Sequence, residues 1–182
     1  MEKAFLKRQY KCDILFDSLA APILESGKLE PMRQYIQHGT CTCYDHVLAV
    51  AKTALAMSMK LPFKFKKDQL VRGALLHDYF LYDWHTVKLD KLHGFAHPKI
   101  ALENARRDFD LTPIEENIIV RHMFPLTPVP PKYRESLLVS FADKHCANKE
   151  FFIELGHKLA KKKVFDSIAR GFSLLIALLP WT

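Results

Sequence analysis

Apolar residues recur three and four positions apart along nearly the whole chain, and no convincing pair of alternating runs is joined by a hairpin turn. That spacing is the period of a helix with one buried face, so the fold class read from the sequence is all-α. The expected helices cover residues 3–20, 31–37, 44–60, 67–81, 97–109, 113–123, 131–148, 150–161 and 164–178. In Thr112-Pro113-Ile114-Glu115 an N-cap hydroxyl, a proline at the first helical position and a glutamate completing a capping box mark a helix start. Pro125, Pro128, Pro130 and Pro131 forbid helix over residues 124–131 and make that stretch a stiff connection. Residues 82–96 lack periodicity and are expected as a loop over the functional face. No repeat or linker divides the 182 residues, so one compact multi-helix domain over 1–182 is expected.

Against this pattern, polar side chains stand where core residues belong. In LVRGALLHDYF, His77 and Asp78 lie side by side near the end of an apolar helix, and Asp78 shares a stripe with Val71, Ala74 and Leu75. Neighbouring helical residues diverge by about 100°, so a shared ion requires the two side chains to converge from adjacent sides. The oddity recurs elsewhere. His46 shares a face with Ala49, Val50 and Thr53; His97 with Ile100 and Ala101; His122 with Ile118 and Ile119; Asp143 with Val139, Ser140 and Ala147. An unpaired carboxylate inside a protein is costly, whereas a bound cation neutralises it and satisfies its oxygens. Imidazole and carboxylate together suit manganese, iron, zinc, cobalt or nickel without deciding among them.

A histidine early in one helix, a His-Asp pair near the end of the next and an aspartate on a later helix resemble the HD superfamily of metal-dependent phosphohydrolases. The strings HGTCTCYDHVLAVA, ALLHDYF and SFADK carry the likeness, which covers roughly residues 35–148. His97 and His122 resemble the two extra ligands of binuclear members. The resemblance implies one metal held by His46, His77, Asp78 and Asp143, and a second held by His97 and His122 with Asp78 bridging. Tyr79-Phe80 departs from the smaller residue and glycine that many relatives carry after the pair. The Gly-Tyr-Pro signature of the branch that degrades cyclic di-GMP is absent.

The resemblance implies hydrolysis of a phosphomonoester or phosphodiester, a nucleotide among the candidates, by a metal-activated water. Asp78 is the expected catalytic centre, with Arg121 and Lys144 beside proposed ligands, and Lys88 and Lys91 in the loop, offered as positioning cations. The formal charge of +7 and pI near 9.2 favour a small anionic ligand. Lys161, Lys162 and Lys163 lack interleaved aromatics, so nucleic acid is not the expected partner. Two rival readings are a di-iron oxygen-using enzyme on the same scaffold and a non-catalytic nucleotide sensor.

Cysteines 12, 41, 43 and 146 make no disulfide framework, which implies a reducing, cytoplasmic setting. The charged N-terminus lacks the apolar run of a secretory signal. The segment Gly171–Trp181 is too short to span a bilayer; it is expected to dock on the core or on a second subunit, making a homodimer plausible. His85 and His93 are read as surface loop residues, and His38, His145 and His157 as hydrogen-bonded core histidines.

Overall fold

The computed structural model describes the backbone of residues 2–88 and 90–177 and the side chains of residues 6–7, 9–37, 39–88 and 90–160. Six α-helices carry the described chain: α1 (Glu2–Leu24), α2 (Cys43–Ser58), α3 (Lys67–Leu76), α4 (His93–Asp108), α5 (Pro113–Arg121) and α6 (Arg134–Ala177). Helix α2 lies at the centre, packed against α3 and α6, while α5 joins α3, α4 and α6 on the other side. Between them lies an apolar core that includes Val47, Ala51, Leu55, Leu70, Leu75, Ile118, Ile119 and Val139. Gly73 allows α3 and α5 to approach closely, because a Cβ there would collide with the side chain of Ile118.

The helix starts follow local chemistry. Thr42 and Asp45 form a capping box at α2: the Thr42 hydroxyl accepts from the Asp45 amide at 3.1 Å, and the Asp45 carboxylate accepts from the Thr42 amide at 3.4 Å. Asp45 is thereby accounted for as a helix-start residue. The expected box at Thr112 and Glu115 opens α5, with Pro113 in its first turn. Glu115 is buried, and its Oε1 stands 3.0 Å from Arg72 Nε on α3 as an ion pair that is not aligned as a hydrogen bond.

Several boundaries differ from the sequence expectation. Residues 31–37 form a 3-10 turn (Glu30–Gln34) and then a strand, β1 (Ile36–His38), antiparallel to β2 (Cys41–Thr42) with an irregular register. Gly39, at φ 59°, turns this hairpin in the left-handed region. Five strand residues are too few to show a period of two. Helix α4 begins at His93, four residues before the expected start, and α3 stops at Leu76 rather than 81. The three expected C-terminal helices are one, because Asn148-Lys149 and Gly156 weaken a helix without breaking it.

Candidate metal centre

Three helices, together with His77 and Asp78 just past α3 and His122 just past α5, bring all six expected ligands to one buried point. His46 comes from α2, His97 from α4 and Asp143 from α6, while His77 and His122 are the C-cap residues of α3 and α5. None of the six is more than 8% exposed. The early end of α3 solves the problem of neighbouring side chains that diverge on a helix. Beyond Leu76 the backbone turns, the Phe80 amide donates to the Asp78 carbonyl at 2.8 Å, and Leu81 takes a positive φ of 55°. As a result His77 Nε2 and Asp78 Oδ2 point the same way, 3.6 Å apart.

Backbone carbonyls fix three of the imidazoles. His77 Nδ1 donates to Ala74 O at 2.7 Å, His97 Nδ1 to His93 O at 2.9 Å and His122 Nδ1 to Ile119 O at 2.7 Å. A carbonyl only accepts, so each ring carries its proton on Nδ1 and, when neutral, turns the Nε2 lone pair toward the centre. His46 is arranged the same way round, with Nδ1 3.1 Å from each carboxylate oxygen of Glu150 and Nε2 3.2 Å from Asp143 Oδ1.

The Asp78 carboxylate joins two groups of ligands. Its Oδ2 faces His77 Nε2 and, at 4.0 Å, His46 Nε2; its Oδ1 faces His97 Nε2 at 3.2 Å and His122 Nε2 at 3.4 Å. Asp143 Oδ1 lies 3.8 Å from His77 Nε2, closing the first group. Ligand atoms of His46, His77 and Asp143 lie within 4.8 Å of one another, as do those of His77, Asp78 and His122.

The protein atoms alone leave this arrangement unsatisfied. His77 Nε2 and Asp78 Oδ1 are buried without a hydrogen-bond partner among the described residues. His97 Nε2 and His122 Nε2 stand 2.7 Å apart, each presenting a lone pair once Nδ1 is protonated. A buried carboxylate without compensation costs on the order of several kcal/mol. A divalent cation relieves all of these at once, so the residues fit a metal centre.

Electrostatics divide the centre. Burial presses the His46 pKa down, but hydrogen bonds to Asp143 and Glu150 and the nearby Asp78 charge overcome it and lift the value to about 10. Burial holds His122 near 3 despite the same Asp78 charge. Burial opposes ionisation of Asp143, yet hydrogen bonds from His46 and His77 hold its carboxyl well below the usual range.

A cavity of about 240 Å³ opens on the Asp78, His97, His122 and Asp143 side, walled by Trp84, Met123 and Leu126 and by Lys144. Lys144 is half-buried; its Nζ donates to His122 O at 2.7 Å and to Ser140 Oγ at 3.2 Å. Arg121 ends α5 and does not line this cavity, and Lys88 and Lys91 are exposed. His93 corrects its reading as a surface loop residue: it starts α4, stacks between Trp84 and His97, and lines the cavity. His85 is exposed as expected; His145 and His157 are exposed rather than in the core, and the His38 side chain lies outside the described residues.

Two residues in contact with the ligands had not been expected. Gln37, from β1, donates its amide to Asp78 Oδ2 at 2.9 Å, and its Oε1 accepts the Cys43 thiol at 3.2 Å. Glu150 supports His46. Its spacing of seven from Asp143 placed it on the ligand face of a continuous helix, a signal lost when the helix was divided at residue 149. The departure at Tyr79-Phe80 also has a role: the Tyr79 hydroxyl donates toward Lys28 O and Asp108, and the buried Phe80 ring packs edge-on against His93 and His97.

The HD domain family model matches residues 43–148, more than half of the chain, and these include all six centre residues. The chain belongs to the HD domain family. HD domains are mostly metal-dependent hydrolases, in keeping with the buried imidazoles and carboxylates gathered here. No curated protein and no solved structure matches the chain. Among the described residues no helix is long and apolar enough to cross a membrane.

Proposed function

We propose that this HD domain protein hydrolyses a small phosphomonoester or phosphodiester, a nucleotide among the candidates. In this reading His46, His77, Asp78 and Asp143 hold one divalent ion, and His97 and His122 hold a second, with Asp78 shared. The observation that carries it is the division of the Asp78 carboxylate, whose two oxygens face separate groups of Nε2 atoms. Bound there, divalent ions supply an activated water and neutralise charge on phosphate oxygens.

The chain's own groups do the rest. Lys144, oriented by His122 O and the Ser140 hydroxyl, presents its ammonium to a phosphate oxygen at the cavity wall, and Asp78 orders the reacting centre. Arg121, one residue before His122, adds positive potential from outside the cavity. Trp84, Met123 and Leu126 receive the less polar part of the substrate and keep bulk water out. A space of about 240 Å³ suits a small molecule and not a nucleic-acid duplex.

The unit acts as one HD-type domain over residues 1–182. The four free thiols fit a reducing, cytoplasmic setting. The apolar segment expected to favour a homodimer has its side chains outside the described residues. The test is elemental analysis of protein purified without chelator, followed by a phosphate-release screen with the metals found. Metal at one or two equivalents and turnover that vanishes in Asp78→Ala are expected. Metal-free protein would sink the reading, and oxygen consumption without phosphate release would transfer it to a di-iron oxidation.

A further inference from the structure

The four imidazoles of the centre are not supported alike. Those of His77, His97 and His122 give their Nδ1 protons to backbone carbonyls, which are neutral dipoles. His46 Nδ1 instead faces both oxygens of the Glu150 carboxylate, each at 3.1 Å. A carboxylate behind a ligating imidazole fixes its tautomer and ring direction and makes the metal-facing nitrogen a stronger donor than a carbonyl does.

Glu150 follows Asp143 by seven residues on α6, so the two lie two turns apart on one face. One helix therefore presents both a ligand and the support for another ligand, on either side of the His46 ring. Glu150 also lies just beyond the matched segment, which ends at residue 148.

We propose that Glu150 is a positioning residue that makes the His46–His77–Asp143 half of the centre the tighter of two unequal metal sites. The proposal rests on the metal-centre reading above and goes beyond it by ranking the two sites and naming what ranks them. Among the described residues no carboxylate stands behind His97 or His122, whose Nδ1 atoms are committed to the backbone.

Glu150 also borders a second cavity, of about 340 Å³, between the hairpin and α6, with Cys41, His157 and Lys158 on its walls. Water can therefore fill the space left by a shortened side chain, and Glu150→Ala is expected to fold. Glu150→Gln is the conservative companion: its amide oxygen still accepts the Nδ1 proton, but the charge is gone.

The experiment titrates zinc into metal-free wild type, Glu150→Gln and Glu150→Ala in competition with a chelator, with circular dichroism to verify the fold. Histidine nitrogen NMR of the zinc-loaded proteins reads the tautomer of each ring. The wild type is expected to bind two equivalents with distinct affinities. The tighter one should weaken about 10-fold in Glu150→Gln and about 100-fold in Glu150→Ala, with the weaker one unmoved. The His46 signal should keep a protonated Nδ1 in Glu150→Gln and become a tautomer mixture in Glu150→Ala, while His77, His97 and His122 stay unchanged.

Wild-type affinity in Glu150→Gln, or equal weakening of both equivalents, would overturn the role of Glu150 and leave the metal centre standing. A wild type that binds no zinc and no other divalent ion would overturn both.

Discussion

The two sides of the Asp78 carboxylate look onto different surroundings. Around Oδ2 are the Gln37 amide, His46 and His77, with Asp143 and Glu150 adding negative charge. Around Oδ1 are the His97 and His122 rings, backed by Phe80 and His93 and open to the cavity wall at Trp84 and Lys144. The first side is rich in carboxylate and meets the cavity only through Gln37 and Asp143; the second is imidazole-rich, and both of its rings and His93 face the space where a substrate would sit. Tight retention of a cation and exchange with a substrate make opposite demands, and this division assigns one demand to each side.

The largest expected effect comes from removing what the sides share. Asp78→Ala takes an oxygen from both groups at once, so metal content should fall below one equivalent and phosphate release by on the order of a thousandfold. Elemental analysis beside a phosphate assay measures both. Full retention of two equivalents would show that Asp78 does not bridge.

Removing one side should give a smaller and divided result. His122→Ala leaves the carboxylate-rich group whole, so one equivalent should remain while turnover drops roughly a hundredfold. His46→Ala should instead remove the tightly held ion first. Identical metal loss in the two variants would erase the distinction between the sides.

Acid sharpens the same contrast. In the metal-free protein His46 keeps its proton up to about pH 10, because its carboxylate partners outweigh burial, whereas His122 stays neutral down to about pH 3 because burial dominates. Metal needs a neutral imidazole, so loading the carboxylate-rich side near neutral pH must release a proton and loading His122 must not. Affinity of the first side should fall about tenfold per pH unit for each proton displaced as pH drops. His122 itself should displace no proton until pH approaches about 3. For the metal-free fold the sign is fixed too: the raised His46 value contributes stability that is whole below about 6.5, the ordinary histidine pKa, and is lost as pH rises through about 10. Calorimetry in buffers of different ionisation heat counts the protons, and equal counts for both equivalents would refute the assignment.

Much of the centre was legible because its chemistry contradicts its setting. Six polar residues on apolar helical faces stand out in the sequence, and the structure brings all six together. The contacts behind them were not legible. Gln37 reaches Asp78 only through a hairpin of five strand residues, whose register is set by tertiary packing rather than by alternation. Glu150 was hidden when α6 was divided, since helix continuity across Asn148-Lys149 depends on the whole domain and not on local propensity. The end of α3 was overrun for a similar reason: Tyr79, Phe80 and Leu81 carry the apolar run on past the His-Asp pair, yet the backbone turns there to aim His77 and Asp78 at one point.

The smallest expected effect lies on the cavity side and concerns substrate rather than metal. Lys144 Nζ donates to His122 O and Ser140 Oγ and stands 3.7 Å from Asp143 Oδ2, while burial lowers its pKa. An ammonium held this way is oriented before a phosphate arrives. Lys144→Met keeps the length of the side chain and removes the charge, so KM should rise by no more than about tenfold with kcat little changed. Lys144→Arg should recover most of the loss. If Lys144 served only to hold the end of α5, both variants would instead lower the melting temperature and the metal content together, with KM unaltered in the molecules that remain folded. Steady-state kinetics paired with metal analysis separates the two, because only a phosphate-facing ammonium moves KM while both sides of Asp78 stay loaded.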